Sequence, residues 1–143
     1  MAPGDRTARG LASMSDEPTV VEYAPPPEHA CDVLNFPMLV EDAPDLLEIH
    51  ICQWVYKHRI VHFAFMLNWI APSGDTREIN RIDTSDGTVH QHFFDQQGEE
   101  VRRRTLQEIV VDGFEWSTIE SQYEPCLDKM LRHALEYHRR WKQ

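Results

Sequence analysis

Alternating apolar and polar side chains run through the middle of the chain and predict β-strands. Residues 47–56 and 59–70 both show the two-residue period of an extended backbone. The first segment is apolar on one face, whereas the second is apolar on both faces, which predicts a strand in the centre of a sheet. Lys57 and His58 are predicted to form the turn between them. A further alternating segment, 101–111, predicts the last strand.

An Asp-Gly pair predicts a hairpin within residues 78–95. Asp86 and Gly87 tolerate the positive φ angles that a two-residue type I′ turn requires at both central positions. This turn fixes the register of the two flanking strands and places Asp83 opposite His90.

The hydrophobic period changes to three and four residues in the last third of the chain, which predicts a helix packed on the sheet. Ser117 and Glu120 match a capping box, in which the two side chains bond free backbone N–H groups at a helix start. Pro125 predicts either a short helix before it and a longer one after it, or a kink. The apolar stripe beyond it consists of Leu127, Met130, Leu131, Ala134, Tyr137, His138 and Trp141.

These patterns together predict an α+β fold. We expect an antiparallel sheet of about five strands in meander order, with one face covered by the C-terminal helix. A short strand at 36–40 is also compatible with the pattern. Residues 1–30 contain five of the nine prolines and no apolar period, which predicts a disordered acidic tail before a single domain at 31–143. Met14 is an alternative start of translation.

Charge is distributed unevenly along the chain. The net charge is −10 over 143 residues, and residues 1–50 hold ten acidic and two basic side chains. This acidic balance argues against a general nucleic-acid binder, whose affinity depends on cations that neutralise phosphates. Two basic clusters, 102–104 and 138–142, are interpreted first as a solvated strand and a solvated helix end.

Cysteine usage and hydropathy predict a cytoplasmic protein. The three cysteines are widely spaced and form no CxxC pair, which argues against a disulfide framework and against a zinc ribbon. The longest apolar run, 60–71, is interrupted by His62 and Asn68 and is shorter than the roughly 20 residues of a membrane helix. We therefore expect no membrane segment, and the absence of an apolar run near Met1 argues against a signal peptide.

The candidate chemistry lies on one face of the predicted hairpin, formed by Arg81, Asp83, His90 and His92. In a first interpretation, Asp83, His90 and His92 hold a divalent metal. In a second, the histidines act as acid and base on a phosphodiester without a metal. Asp83 then orients His90, and Arg81 stabilises phosphoryl charge. In a third, the four side chains only stabilise the sheet as polar cross-strand pairs.

The segment from Arg59 to Glu100 resembles a family of small uncharacterised bacterial proteins of mobile elements. Its strand RIVHFAFMLNW is similar to a family strand of the type xxFxxxLxW, and RIDTSDGTVHQH is similar to a hairpin of the type R-Y/I-D-T-x-x-G-x-x-H-x-H/D. More distantly, it resembles the TumE-like toxins of toxin-antitoxin pairs, which carry an R-Y-D-N…H-x-H signature. The matching positions here are Arg81, Asp83, Gly87, His90 and His92. Where both families often have a His shortly before the glycine, this chain has Ser85 and Asp86.

The resemblance implies a small cytoplasmic toxin of a toxin-antitoxin or mobile-element system, and specifically an RNA-directed nuclease. It implies an antitoxin or another protein as partner, and RNA as substrate. The alternative is a non-catalytic, acidic binding protein of a phage or mobile element that acts through protein-protein contacts. A divalent metal is the one cofactor that the candidate residues suggest.

Overall fold

A computed structural model describes residues 21–143 of the chain as an antiparallel sheet followed by one long helix. Each of the six strands pairs with the next one along the chain. The α+β meander that the sequence predicts is therefore confirmed, with one strand more than expected. The elements are β1 (Asp32–Leu39), β2 (Leu47–Tyr56), β3 (Arg59–Ile70), β4 (Thr76–Asp83), β5 (Thr88–Phe94), β6 (Glu100–Glu108) and α1 (Glu115–Trp141).

The additional strand is β1, of which the sequence pattern predicted only a short part at 36–40. It pairs with β2 over its whole length. Asn35 and Pro37 are residue types that strands disfavour, and they hide the alternation. Pro37 is tolerated because β1 lies at the edge of the sheet. Leu34 and Phe36 remain exposed beside it, since α1 contacts β3, β4 and β5 rather than this edge.

The core lies between the sheet and α1. The predicted central position of β3 is confirmed, since it is the third of six strands. Its Val61, Phe63, Phe65 and Leu67 side chains are fully buried. The rings of Phe63 and Phe65 both make T-shaped contacts with Tyr123 on α1. Leu131, which the sequence places on the buried stripe of the helix, is exposed instead. The buried helix residues are Ile119, Cys126, Met130, Ala134, His138 and Trp141.

The predicted start of the helix is wrong. The helix begins at Glu115 and runs as one element through Pro125, so Ser117 and Glu120 lie inside it and form no capping box. Glu120 instead accepts hydrogen bonds from Arg59 Nε (2.9 Å) and from the backbone N–H of Ile60 (3.2 Å). Ser117 and Glu120 therefore connect α1 to β3 rather than cap the helix. Within the described residues, no helix has both the length and the apolar character that a membrane crossing requires.

The first described residues belong to the folded domain. The predicted tail spans 1–30, of which 1–20 lie outside the described residues. Tyr23 is buried in the core, and its hydroxyl donates a hydrogen bond of 2.6 Å to the carbonyl of Val61 in β3. Tyr23, which lies within the predicted tail, therefore packs against the domain, and a single buried aromatic side chain produces no period that a sequence pattern can reveal.

The contact of Glu120 with β3 can be tested against the capping-box alternative. Glu120→Ala leaves the Ile60 N–H and the Arg59 guanidinium without their carboxylate, so we expect a loss of about 1–2 kcal/mol in the free energy of unfolding. Ser117→Ala removes only the contact with Arg59 (3.1 Å) and gains helix propensity, so its cost should stay below about 0.5 kcal/mol. Urea denaturation of both variants measures the difference. Equal losses would support a capping box.

Burial of Tyr23 predicts a specific loss of stability at high pH. Burial raises the pKa of Tyr23 to about 12, although a contact with Trp116 opposes the rise. The phenol therefore ionises in the unfolded chain before it does so in the folded one. The buried neutral phenol contributes its full share to the free energy of unfolding below a pH of about 10. As the pH rises toward about 12, roughly 2–3 kcal/mol of that free energy is lost.

Unfolding curves of wild type and Tyr23→Phe, recorded from about pH 8 to about pH 11, measure this effect. At the lower pH the variant should be less stable by about 1 kcal/mol, because the bond to Val61 is lost. The difference should shrink as the pH rises. Two curves that stay parallel over this range would show that Tyr23 is not buried in the folded protein.

Candidate metal centre

The hairpin between β4 and β5 turns as its sequence predicts. Asp86 and Gly87 have φ angles of 57° and 79°, and the backbone N–H of Thr88 donates to the carbonyl of Ser85. These features define the predicted type I′ turn. Space also favours glycine here, since a Cβ on Gly87 would make a tight contact of 3.3 Å with the Cβ of Glu22.

The register of the hairpin is also the predicted one. Asp83 pairs with His90, and Arg81 pairs with His92. All four side chains lie on the sheet face opposite α1, because the alternate residues of both strands point toward the helix. Thr84 fixes the hairpin to β3, since its N–H donates to the carbonyl of Phe63 and its hydroxyl accepts the N–H of the same residue.

Asp83 is the centre of the cluster and remains a carboxylate although it is buried. One of its oxygens, Oδ1, accepts the backbone N–H of Ser85 at 3.0 Å. Burial by itself would raise the pKa of Asp83. The close contact with His90, the Ser85 N–H and the charges of His90 and His92 outweigh burial and lower the pKa to about 2. An anionic oxygen is therefore present at neutral pH.

His90 has one ring nitrogen engaged and one without a hydrogen bond. Nδ1 lies 3.2 Å from the backbone carbonyl of Thr88 and 3.0 Å from its hydroxyl. Nε2 lies 2.9 Å from Asp83 Oδ1, but the angles between the two groups do not form a hydrogen bond. This buried nitrogen has no hydrogen-bond partner among residues 21–143.

His92 is oriented by Glu100, a residue of β6. The Nδ1 atom of His92 contacts the Glu100 carboxylate, which can only accept, so Nδ1 carries the proton. The same contact lowers the pKa of Glu100 below its usual value. In a neutral ring Nε2 then carries the lone pair, and this atom faces Asp83 Oδ2 at 3.5 Å.

The three side chains thus bring electron-pair donors toward one another. One nitrogen from each imidazole and one carboxylate oxygen of Asp83 lie within 4.8 Å of each other. Lone pairs that face a carboxylate need a cation between them, which is either an additional proton or a metal ion. Both imidazoles also point Nδ1 at an oxygen, the arrangement by which proteins orient histidines that ligate metals through Nε2.

Arg81 lies beside the cluster but is engaged elsewhere. Its Nε and Nη2 atoms each donate to Glu78 at 2.7 Å, whereas its Nη1 atom is 4.0 Å from Asp83 Oδ2. The guanidinium therefore belongs to an ion pair at the border of the site. The predicted set of four residues is brought together, and three of them form the centre.

The candidate metal centre is largely buried. The side chains of His90, Asp83 and His92 are 1%, 5% and 13% exposed, so the hairpin face is not an open, solvated surface. Asp83 is stable there as a carboxylate because the Ser85 N–H and the two imidazoles compensate its burial. Approach from solvent is possible at His92, the most exposed of the three.

Sequence reasoning missed two polar neighbours of the cluster. Neither Glu100 nor Thr88 is among the site residues that the sequence predicts. A third histidine, His62, lies on the same face, where it contacts the Thr84 hydroxyl through Nδ1 at 2.8 Å. Burial lowers the pKa of His62, and Asp83 partly opposes this shift.

Comparisons with models of known protein families, with curated proteins and with solved structures gave no match.

Proposed function

We propose that this protein binds one divalent transition metal through Asp83, His90 and His92. The observation that carries the proposal is the orientation of the two imidazoles. Each points Nδ1 at an oxygen and Nε2 at the same buried carboxylate. The second support is proximity, because one nitrogen of each imidazole and one carboxylate oxygen of Asp83 lie within 4.8 Å of each other.

The donor set limits the metal. Imidazole suits Zn²⁺, Cu²⁺, Fe²⁺ and Ni²⁺, whereas Mg²⁺ and Ca²⁺ prefer an all-oxygen shell. Two imidazoles and one carboxylate also leave positions for water or a substrate, as in catalytic rather than structural zinc sites. Such a metal polarises a bound oxygen and makes water a stronger nucleophile.

Hydrolysis of a phosphodiester is the reaction that we propose for this centre. It rests on the resemblance to the TumE-like toxins, which implies RNA as substrate and an antitoxin as partner. Two features are compatible with it: the donor set leaves open positions, and Arg81 lies at the border of the site. Substrate would approach at His92, and Arg81 would have to exchange Glu78 for phosphate.

Metal content is the first test. Wild-type protein that has been dialysed against Zn²⁺ and then against buffer should retain about one ion per chain, measured by elemental analysis. His90→Ala and His92→Ala should lose it, because each removes a ligand nitrogen. Glu100→Ala should weaken binding about 10- to 100-fold, since it removes only the acceptor that orients His92.

Two variants serve as controls for that measurement. His50→Ala removes an imidazole whose side chain contacts Asn35 at 3.2 Å and lies outside the cluster, so metal content should not change. Arg81→Ala should also retain the metal, because a protonated guanidinium has no lone pair to donate. Wild-type protein without bound metal, or equal losses in His50→Ala and His90→Ala, would disprove the proposed centre.

Growth of cells that express the protein tests the proposed reaction. Induction of wild type alone should arrest growth and degrade RNA, whereas His92→Ala should do neither. Arg81→Ala should keep its metal but cleave RNA more slowly, and a chelator should stop cleavage by the purified wild-type protein. RNA integrity and culture density are the readouts.

Each negative result has a distinct meaning. If RNA cleavage continues in the presence of a chelator but is lost in Arg81→Ala, the reaction is metal-free, with the two histidines as acid and base. A harmless wild-type protein that still binds metal would leave the centre intact and remove the nuclease proposal. In that case the acidic, non-catalytic binding protein becomes the better description.

A further inference from the structure

The basic cluster of β6 is divided between the two faces of the sheet. Arg102 and Arg104 lie on the helix face, where their guanidinium groups stand 5.0 and 5.7 Å from the centroid of the Phe93 ring. Arg103 lies on the other face, because it is the cross-strand partner of His92. One arginine of the cluster therefore shares its face with the candidate metal centre.

The side chain of Arg103 extends along the metal centre rather than away from it. Its backbone is paired with His92, whereas its Nη2 atom lies 3.5 Å from Oδ2 of Asp86, in the turn that precedes β5. His90 lies between His92 and that turn along β5, so the Arg103 side chain passes beside His90. The guanidinium remains accessible, since the Arg103 side chain is 42% exposed.

Two arginines thus flank His92, the most exposed residue of the centre. Arg81 pairs with His92 from β4, and Arg103 pairs with it from β6. Neighbouring strands lie about 4.8 Å apart, so the backbones of the two arginines are separated by about 10 Å. Guanidinium groups form paired hydrogen bonds with phosphate oxygens. A phosphate that approaches at His92 would therefore meet an arginine on each side.

The two arginines differ in how firmly they are held. Arg81 donates to Glu78 through Nε and Nη2, both at 2.7 Å, in a partly buried pair. Arg103 has a single contact with Asp86, whose side chain is 71% exposed. Exposed ion pairs contribute little to stability and are screened by salt, whereas two parallel bonds to one carboxylate make a strong pair. Arg103 is therefore the guanidinium that is released more easily for an incoming anion.

The charges of the centre lead to the same residue. Asp83 and Glu100 both contact His92, and together they offset the two positive charges of a divalent metal. The loaded centre alone would therefore attract an anion only weakly. Arg103 supplies the additional positive charge as soon as the anion displaces Asp86.

We propose that Arg103 binds the phosphate group of the substrate at the candidate metal centre, and that Asp86 holds this arginine in place until the substrate arrives. The proposal rests on the metal centre and on the phosphodiester substrate proposed above. It gives a substrate-binding role to one member of the basic cluster 102–104, which the sequence pattern indicates only as part of a solvated strand.

Inorganic phosphate is the probe, because it presents the same oxygens without a bond to cleave. Calorimetry of the full chain loaded with Zn²⁺ should show phosphate binding. Arg103→Gln should weaken it about tenfold or more, since a charge-assisted contact is lost. Asp86→Asn should strengthen it, because asparagine also adopts the left-handed backbone of the turn but its uncharged side chain competes less for Arg103.

Arg102→Gln is the matched control, since it removes the same charge from the neighbouring residue on the opposite face. Its affinity for phosphate should match that of wild type. All three variants should keep the bound metal, which elemental analysis checks, because none of them changes a ligand. None of these measurements requires the protein to cleave RNA.

The possible failures are distinguishable. If wild type binds no metal, the centre is disproved and the role of Arg103 falls with it. If wild type binds metal but no phosphate at millimolar concentration, or if Arg103→Gln binds phosphate as Arg102→Gln does, the role of Arg103 is disproved and the metal centre stands. Loss of phosphate in Arg81→Gln but not in Arg103→Gln would also overturn the proposal, since Arg81 would then hold the anion.

Discussion

The left-handed turn at Asp86 and Gly87 determines which side chains of this protein can meet. Because it closes the hairpin with two residues, it fixes β4 against β5 in one register, and a slip by one residue would move every side chain to the other face. Thr84 secures that register by bonding both backbone groups of Phe63 in the central strand. The candidate metal centre depends on this pairing, since Asp83 and His90 meet only as cross-strand neighbours.

Burial of a carboxylate such as Asp83 costs free energy unless its contacts compensate the lost hydration. The apolar core between β3 and α1 already stabilises the fold, and an apolar residue in place of a buried charged group is often neutral or stabilising. The contacts of Asp83 with the Ser85 N–H, His90 and His92 compensate its burial, as its lowered pKa shows. The proposed metal therefore rests on the orientation of the two histidines, whose Nδ1 atoms face separate oxygens and whose Nε2 atoms face the same carboxylate.

The sequence predicted those parts of the fold in which local chemistry decides the structure. Strands β2 and β3 and the hairpin register followed from alternation and from turn residues. Glu100 could not be predicted, because a β-bulge at Phe93 and Phe94 makes Glu100, rather than Val101, the partner of Phe94. The extra residue moves the Glu100 carboxylate to the face of His92. The capping box predicted at Glu120 is wrong for the opposite reason: the local motif is present, but the carboxylate binds Arg59 of β3 instead of the helix start.

Alternation along β5 gives its two faces different chemistry. His90 and His92 point to the candidate metal centre, while Gln91 and Phe93 point toward α1. Gln91 is completely buried; its Oε1 accepts from Arg104, and its Nε2 donates to Asn80. A polar network therefore lies on the helix face of β5, opposite the face that holds the two imidazoles. A backbone shift in β5 large enough to release His90 from Asp83 would also move Gln91 relative to Asn80. The buried network around Gln91 and the candidate metal centre therefore depend on the position of the same strand.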